Sequence, residues 1–222
     1  MTCSVTALMP AASRITDWEI RLSEIDVIEM MRTCIAMRHL KADEVPEDFI
    51  KKVVQAATYA SNPGNSQNWK FVVVRDRARK ERMATAVQAM LGSHFSGGPT
   101  GDASRDKMMA GARRLVEGFA DVPVWIFVVG FNKYPPQAPN ENFVWSTVYP
   151  ASQNLVLAAR SLGLGTTFTT FHYVAEQKFR EELGLPDDAY LGTAIAMGYP
   201  EKKFASVNRK PVDEVICWET FS

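Results

Sequence analysis

Residues 61–69 bring together a dense set of directed polar groups, with the sequence Ser-Asn-Pro-Gly-Asn-Ser-Gln-Asn-Trp. Amides and hydroxyls at this density suit a flat heteroaromatic ligand whose edge alternates hydrogen-bond donors and acceptors. Asparagine, glycine, proline and serine also dominate ordinary turns, so a solvated connection between two elements is the simpler interpretation. From composition alone, both interpretations stay open.

Several common catalytic signatures are missing from the sequence. No Gly-x-Gly-x-x-Gly follows a predicted strand, no phosphate-binding loop ends in Gly-Lys-Ser/Thr, and no Gly-x-Ser-x-Gly nucleophile motif occurs. His39, His94 and His172 lack the spacing of metal ligands, and no cysteine pair accompanies them. We therefore expect neither a metal site nor a serine-type nucleophile, and no side-chain acid or base stands out as catalytic.

The predicted helices and strands around the polar segment determine its position in the fold. Apolar spacing predicts a first helix from Ser23 and a second from Pro46, since proline is tolerated at the first helical position. Further helices are predicted over residues 77–91, 105–119, 147–162 and 174–183, and strands over 69–74, 122–130, 163–171 and 190–197. The pattern predicts a single α+β domain over residues 23–222, after an N-terminal arm over residues 1–22.

Three stretches of the predicted domain concern mobility and assembly. Glycine- and proline-rich loops flank one of the helices, so we expect a mobile lid over about residues 92–145. The helix over residues 147–162 is apolar nearly all round, which predicts burial in the core or against a partner subunit. The partly apolar tail over residues 209–218 is expected to pack against another surface.

Composition and charge exclude several classes of partner. The 222 residues include 25 basic and 25 acidic side chains, so neither nucleic acid nor an anionic membrane surface is expected as the main partner. No apolar run approaches the ~18 residues of a membrane span. The N-terminus lacks the pattern of a secretion signal, and three widely spaced cysteines favour a reducing compartment, so we expect a cytoplasmic protein.

Several blocks, in the right order, resemble the nitroreductase family of flavin enzymes. Residues 31–46 resemble its opening block, Arg-Arg-Ser/Ala-x-Arg-x-Phe/Leu followed by Val-Pro, and residues 56–74 are similar to its Ala-Pro-Ser-x-x-Asn-x-Gln-Pro-Trp-x-Phe. Residues 153–165 resemble its central helix and turn. The closing blocks match at Leu-Gly-Leu-Pro (183–186), Met-Gly-Tyr-Pro (197–200) and Arg-Lys-Pro (209–211). The similarity covers about residues 24–219.

The resemblance implies an α+β fold with a central, mainly antiparallel sheet flanked by helices, in a domain-swapped homodimer with two FMN sites at the interface. It implies an FMN-dependent enzyme that moves reducing equivalents from NADH or NADPH to a nitroaromatic, quinone or similar small aromatic by a ping-pong mechanism. Reductive dehalogenation, ene reduction or dehydrogenation are alternatives within the family. A flavin-sequestering protein without turnover is an alternative of another class.

The resemblance also assigns cofactor contacts. The implied residues are Arg38, Arg209 and Lys210 for the phosphate, Asn65 for the isoalloxazine, Ser61, Asn62 and Pro63 across the dimer, Gln67 in the same motif, and Thr169 and Thr170 beside the ring edge. Cys34 and Ile35 stand where the family has paired arginines, and Asn68 replaces the proline before the tryptophan. Two cations of the family's phosphate site are therefore absent from their usual positions.

Overall fold

A four-stranded sheet organises the fold. In the computed structural model, which describes residues 26–95 and 97–221, the strands are β1 (Trp69–Val74), β2 (Val124–Phe131), β3 (Gly165–Thr169) and β4 (Ala189–Gly198). Their order across the sheet is β1-β2-β4-β3, and every neighbouring pair is antiparallel. The prediction of an α+β fold with four main strands in an antiparallel sheet is confirmed.

Six α-helices among the described residues pack around this sheet: α1 (Val27–Thr33), α2 (Glu47–Thr58), α3 (Arg77–Leu91), α4 (Ala103–Glu117), α5 (Asn142–Ser161) and α6 (Glu176–Leu183). The predicted arm over residues 1–22 and the predicted helix start at Ser23 lie outside the described residues. Within them, α1 follows Asp26, whose carboxylate accepts a hydrogen bond from the Ile28 backbone N–H (3.0 Å). None of these helices is long and apolar enough to cross a membrane.

Strand β2 is buried on both faces because its side chains alternate between two hydrophobic cores. Its even-numbered residues, from Val124 to Val128, belong to the core shared with α2 and α5. Its odd-numbered residues, from Trp125 to Val129, belong to the core shared with α3, α4 and α6. Two buried faces require an uninterrupted apolar run, and this run is the signal by which the sequence predicts the strand.

Helix α5 crosses one face of the sheet at close range because two glycines leave room for it. A Cβ on Gly130 would lie 2.6 Å from Val144 Cγ1, and a Cβ on Gly192 would lie 2.7 Å from Val148 Cγ2. Real side-chain contacts are longer than this, so larger residues at either glycine would push α5 away from the sheet. The approach fixes the helix relative to the strand ends that carry the predicted site.

Some element bounds differ from their predictions for local reasons. Strand β1 and helix α3 have the predicted bounds at both ends. Helix α4 begins at Ala103 rather than at residue 105, since the Asp102 carboxylate accepts the Ser104 backbone N–H (2.8 Å) and caps the first turn. Helix α5 begins at Asn142 rather than near residue 147, because the contact of Val144 with the sheet stabilises an extra turn. The remaining ends lie within two residues of their predictions.

Apolar surface remains exposed on α5 and on the C-terminal tail. Phe143 and Tyr149 are 37% and 40% exposed, so the prediction of a helix buried all round does not hold within one protomer. Every residue from 208 to 221 is exposed, including Val215 and Trp218. The packing expected for the tail over residues 209–218 is therefore not found among the described residues of a single chain.

The predicted lid over about residues 92–145 is not one segment. It contains α4 and the whole of β2, and β2 lies at the buried centre of the sheet. A lid in this range would have to exclude β2. The mobility of the stretches on either side of the strand stays a prediction.

Candidate functional site

The polar loop before β1 is held together by one of its own side chains. Asn62 Oδ1 accepts a hydrogen bond from the Gln67 backbone N–H (2.8 Å), and Asn62 Nδ2 donates to the Ala60 carbonyl (3.3 Å). The Asn62 amide is thus engaged inside the loop. Ser61, Asn65 and Gln67 are exposed, so these predicted contacts are the ones open to a ligand or a partner chain.

The same loop holds three residues in the left-handed backbone region. Gly64 has φ 59°, Asn65 has φ 48° and Gln67 has φ 51°. Positive φ is uncommon for residues other than glycine, and such strain is concentrated at functional sites. A Cβ on Gly64 would overlap the ring of Tyr134, which is itself in edge contact with Phe143 (centroids 5.4 Å). The two rings therefore brace the strained loop from outside.

The predicted ring-edge contacts are the last residue of β3 and the residue after it. Thr169 is buried, and its Oγ1 donates to the Ala194 carbonyl (2.9 Å), so this hydroxyl is used by the sheet. Thr170 is exposed, and its carbonyl accepts the Tyr173 N–H (3.0 Å) at the start of a short 3-10 turn. Of the two threonines, Thr170 has the hydroxyl open to a ligand.

His172 lies in that turn as a core residue. It is fully buried, and neither ring nitrogen has a hydrogen-bond partner among the described residues. Burial lowers the pKa of His172 to about 4; the nearby Leu191 backbone opposes this shift in part, without the geometry of a full hydrogen bond. The neutral ring packs on Tyr173 (centroids 4.2 Å). In the described part of the chain, no group of His, Cys, Asp and Glu side chains is arranged to hold a metal ion.

The opening block of the resemblance runs along β3 and past the end of β4, which fixes the position of Arg38. The Met37 N–H donates to the Thr166 carbonyl (2.7 Å), and the Lys41 N–H donates to the Tyr199 carbonyl (2.8 Å). Backbone hydrogen bonds on both sides thus hold the residue. Its place does not depend on any contact of its own side chain.

The Arg38 side chain is half-buried beneath α4. A Cβ on Gly111 would lie 3.0 Å from Arg38 Cδ, so the glycine makes room for the arginine. No hydrogen bond or ion pair ties the guanidinium to another described residue, and burial lowers the pKa of Arg38 with no acidic partner to oppose the shift. Beside it lies a cavity of about 310 Å³, also lined by Lys107 of α4 and by Lys202 and Lys203 after β4. We call it the lysine-lined cavity.

A cation from α5 lies near Cys34, one of the two positions where the resemblance places family arginines. Arg160 donates from Nε to Thr33 Oγ1 (3.2 Å), and its guanidinium carbon lies 3.9 Å from the ring centroid of Phe204. Burial raises the pKa of the Cys34 thiol, and the charge of Arg160 opposes this shift without outweighing it. Positive charge is therefore present near residue 34, although the residue itself carries none.

The predicted phosphate contacts Arg209 and Lys210 lie on the exposed tail. The tail returns to the end of α1, where the Val207 N–H donates to the Arg32 carbonyl (2.8 Å). Among the described residues, no contact brings Arg209 or Lys210 to Arg38. One protomer alone does not assemble the three predicted cations.

The other predicted contacts fall on opposite edges of the sheet. The polar loop precedes β1 at one edge, whereas Arg38 and Thr170 lie beside β3 at the other. Three strand spacings of ~4.8 Å separate these edges, or roughly 14 Å. Along β3, Thr166 beside the opening block and Thr169 at the far end are roughly 10 Å apart, at ~3.3 Å per residue. The predicted phosphate and ring contacts thus lie at the two ends of one edge strand.

An aromatic cluster covers the surface where α5 meets β3. Trp145 stacks on Tyr149 and meets Tyr190 edge-on (centroids 5.9 Å in both pairs), and Tyr149 contacts Phe168 (6.1 Å). Tyr149 and Phe168 are each 40% exposed. Burial, reinforced by a hydrogen bond with Tyr149, raises the pKa of Tyr173 to about 12. Exposed ring faces of this kind can stack on an aromatic ligand.

Fold and site together define an α+β protein with an unpaired arginine beside one end of its edge strand and an aromatic surface nearby. Residues 30–199 match the model of the Nitroreductase family, and the chain belongs to this family. The family and the oxidoreductase class that the sequence motifs indicate are confirmed.

Relatives that align with most of this chain support the same family. The chain is 28% identical over 185 residues to an Archaeoglobus fulgidus protein provisionally named NADH dehydrogenase/NAD(P)H nitroreductase, which covers 81% of this chain and 89% of that one. It is 25% identical over 202 residues to the chloronitrobenzene nitroreductase of Comamonas testosteroni, over 77% and 85% of the two chains. A solved structure of iodotyrosine deiodinase bound to FMN and 3-iodo-L-tyrosine has a TM-score of 0.70 at 17% identity, over 88% and 100% of the chains. The last likeness shows the fold alone.

Proposed function

We propose that this chain is an FMN-dependent oxidoreductase that transfers reducing equivalents from NADH or NADPH to a nitroaromatic, quinone or similar electron-poor aromatic by a ping-pong mechanism. When bound, FMN supplies the hydride- and electron-transfer chemistry, and the protein supplies binding, orientation and electrostatics. The observation that carries the proposal is the unpaired guanidinium of Arg38 beside the lysine-lined cavity, in a chain of the Nitroreductase family.

The groups on the β3 edge fit a flavin phosphate. A half-buried cation without a counter-ion loses hydration and gains nothing in return, so an anion at this position is stabilised. A guanidinium can bind a phosphate through two parallel hydrogen bonds. Arg38 has this group free, and Gly111 leaves space for its aliphatic stem beside the cavity. Arg209 and Lys210 would join it from the tail.

The ring of the flavin would lie toward the other end of β3. The exposed hydroxyl of Thr170 can both donate and accept a hydrogen bond at the ring edge. Thr169 has its hydroxyl on the Ala194 carbonyl, so its role would be to position the backbone next to it. Asn65 would contribute its exposed amide, with Ser61, Asn62, Pro63 and Gln67 around it in the polar loop.

We further propose a domain-swapped homodimer in which the polar loop of one protomer meets the β3 edge of the other. The support is the roughly 14 Å of sheet that separates the two sets of contacts within one chain. Exposed apolar residues such as Tyr149 on α5 and Trp218 in the tail supply surface for the interface. Obligate interfaces usually bury more than ~2,000 Å².

The aromatic cluster favours a flat aromatic acceptor. Tyr149 and Phe168 present ring faces beside the strand whose end is assigned to the flavin ring. The reaction needs no dedicated side-chain acid or base, because its protons can come from water. The similarity to a chloronitrobenzene nitroreductase supports a nitroaromatic as the test substrate.

Reductive dehalogenation is the second candidate reaction, and the observation that favours it is the sequence similarity to the iodotyrosine deiodinase 1 of Mus musculus, which is 22% identical over 211 residues. Ene reduction, dehydrogenation, and flavin sequestration without turnover stay open as well. For location we propose a reducing compartment such as the cytoplasm. Its support is that the sequence has three cysteines, widely spaced along the chain, which is not the pattern of a disulfide framework.

The absorbance spectrum of the purified protein is the first test. We expect bands near ~370 and ~450 nm, as for a bound flavin, followed by oxidation of NADH or NADPH when a nitroaromatic is added. Product analysis with a halogenated phenol separates reductase from dehalogenase, and bound flavin without turnover of any acceptor would indicate sequestration. A protein that stays colourless after FMN addition and desalting would contradict the proposal, and a stable 24.8 kDa monomer in sedimentation would contradict the dimer.

A further inference from the structure

The lysine-lined cavity has an unusual balance of charge. Arg38, Lys107, Lys202 and Lys203 all line it, and no carboxylate lines it among the described residues. None of the four cations forms an ion pair or a side-chain hydrogen bond with another described residue. Four unpaired cations around about 310 Å³ repel one another, so a multivalent anion at their centre would relieve the repulsion.

The carboxylate of Glu201, next to Lys202 in the chain, is already occupied. Glu201 accepts hydrogen bonds from Arg114 of α4 (3.0 Å and 3.3 Å) and lies 3.8 Å from His39 Nδ1. His39 also lines the cavity, and its pKa is lowered by burial first and then by the positive charges of Lys202, Arg114 and Arg38. The positive potential in this region thus persists beside the carboxylate.

The cavity also lies at the place where the resemblance expects two arginines that this sequence does not have. Ile35 and Ala36 form part of its wall, and Ile35 stands at one of the two positions of the family's paired arginines. Lys107 comes from α4, 72 positions further along the chain, and Lys202 comes from the segment after β4. The fold therefore brings positive charge from other elements to a place where the opening block has none at residues 34 and 35.

We propose that Lys107 and Lys202, with Lys203 beside them, bind the phosphate of FMN together with Arg38 and replace the paired arginines that Cys34 and Ile35 displace. This inference rests on the proposed function. It differs from the assignment by resemblance, because two of the principal phosphate ligands come from α4 and from the turn after β4. The ligand class is a phosphate monoester of an aromatic nucleotide.

Flavin fluorescence titration of single variants tests the assignment, with FMN and riboflavin as the two probes. Lys107→Gln and Lys202→Gln should each weaken FMN binding by about tenfold, as expected for the loss of one charge-assisted hydrogen bond. Riboflavin, which lacks the phosphate, should bind both variants within about twofold of the wild type. Arg105→Gln is the matched control, because it removes one positive charge from the same helix at a residue that does not line the cavity.

The outcomes separate this inference from the function it rests on. If neither flavin binds the wild-type protein, both are overturned. FMN binding that is indifferent to both lysine substitutions, or that weakens equally in Arg105→Gln, overturns the inference alone. A rise in the KM for NADPH with unchanged FMN binding would assign the lysines to the nicotinamide nucleotide, which also overturns it. As a control for folding, each variant should unfold at the same melting temperature as the wild type, since the substituted side chains are exposed.

Discussion

Gly111 of α4 lies directly against the side chain of Arg38, so close that an added methyl group would press on the arginine stem. A Cβ on the glycine would lie 3.0 Å from Arg38 Cδ and 3.7 Å from its Cβ. The helix thus carries its smallest residue where the arginine passes beneath it toward the lysine-lined cavity. Helix stability favours a residue larger than glycine at this position, whereas the placement of the arginine favours glycine.

Gly111→Ala is expected to separate these two demands. Alanine is favoured over glycine inside a helix by about 1 kcal/mol, so the free energy of unfolding should stay level or rise. The added methyl displaces the Arg38 stem, and FMN binding should weaken about fivefold, or roughly 1 kcal/mol. Urea unfolding and FMN titration measure the two effects, with riboflavin affinity as the control. Unchanged FMN affinity would show that Arg38 does not need this space.

Arg38→Ala should weaken FMN binding by about ten- to a hundredfold, because charge-assisted hydrogen bonds contribute roughly 1.5–3 kcal/mol each. Riboflavin should bind the wild type and the variant almost equally. Ile35→Arg returns a cation to the wall of the same cavity and should tighten FMN without affecting riboflavin. Flavin fluorescence titration of the three proteins is the measurement. Equal weakening of both flavins by Arg38→Ala would mean that the residue is structural.

Gly64→Ala should destabilise the polar loop for two reasons that can be measured apart. An L-residue in the left-handed region costs about 1–2 kcal/mol, and the added methyl also overlaps the ring of Tyr134. Combining it with Tyr134→Ala removes the overlap but keeps the backbone strain. A double-mutant cycle by urea unfolding should therefore show a favourable coupling of about 1 kcal/mol or more. If the effects of the two substitutions on the free energy of unfolding were simply additive, the whole destabilisation by Gly64→Ala would come from backbone strain.

The buried His172 predicts a loss of stability in mild acid. Its pKa falls from an ordinary 6.5 to about 4 in the folded protein, so between these values the unfolded chain binds the extra proton. The contribution of the neutral His172 to the free energy of unfolding is fully present above about pH 6.5. It declines by about 1.4 kcal/mol per pH unit as the pH falls toward 4. Between pH 7 and pH 5 we expect a loss of about 2 kcal/mol from this residue.

His172→Leu isolates this contribution, because leucine has a similar volume and no nitrogen to protonate. The variant should lose less unfolding free energy than the wild type between pH 7 and pH 5, by about 2 kcal/mol. Urea unfolding at the two pH values gives the difference directly, and carboxylates elsewhere titrate equally in both proteins. Parallel stability curves would rule out His172 as the responsible group.

Much of the fold could be predicted because local signals and tertiary structure agree. Strand β1 is a short β-branched run, and α3 follows an aspartate that caps it, so both have the predicted bounds. Helix α5 could not be placed fully in this way. Its first turn is stabilised by Val144 against Gly130, a contact between residues that only the folded sheet brings together.

The site divides in the same manner. The motif around Arg38 makes it a candidate from the sequence, and backbone hydrogen bonds on both sides hold it at the sheet edge, while its role toward a phosphate stays a prediction. Lys107 and Lys202 have no motif of their own, and their convergence on Arg38 depends on how α4 packs against Arg38 and is bonded to the segment after β4 through Arg114 and Glu201. The roles of Asn62 and Thr169 could not be separated from those of their neighbours, since only the fold reveals that the Asn62 amide and the Thr169 hydroxyl are already bonded.

The placement of the polar loop and of Arg38 on opposite sheet edges has a genetic consequence. In the proposed dimer each site takes Arg38 from one chain and Asn65 from the other, so two defective proteins can complement each other. A chain carrying Arg38→Ala mixed with one carrying Asn65→Ala forms hybrids in which one site holds both defects and the other holds none. Random reassortment of equal amounts would restore about a quarter of the wild-type sites, although neither parent has any.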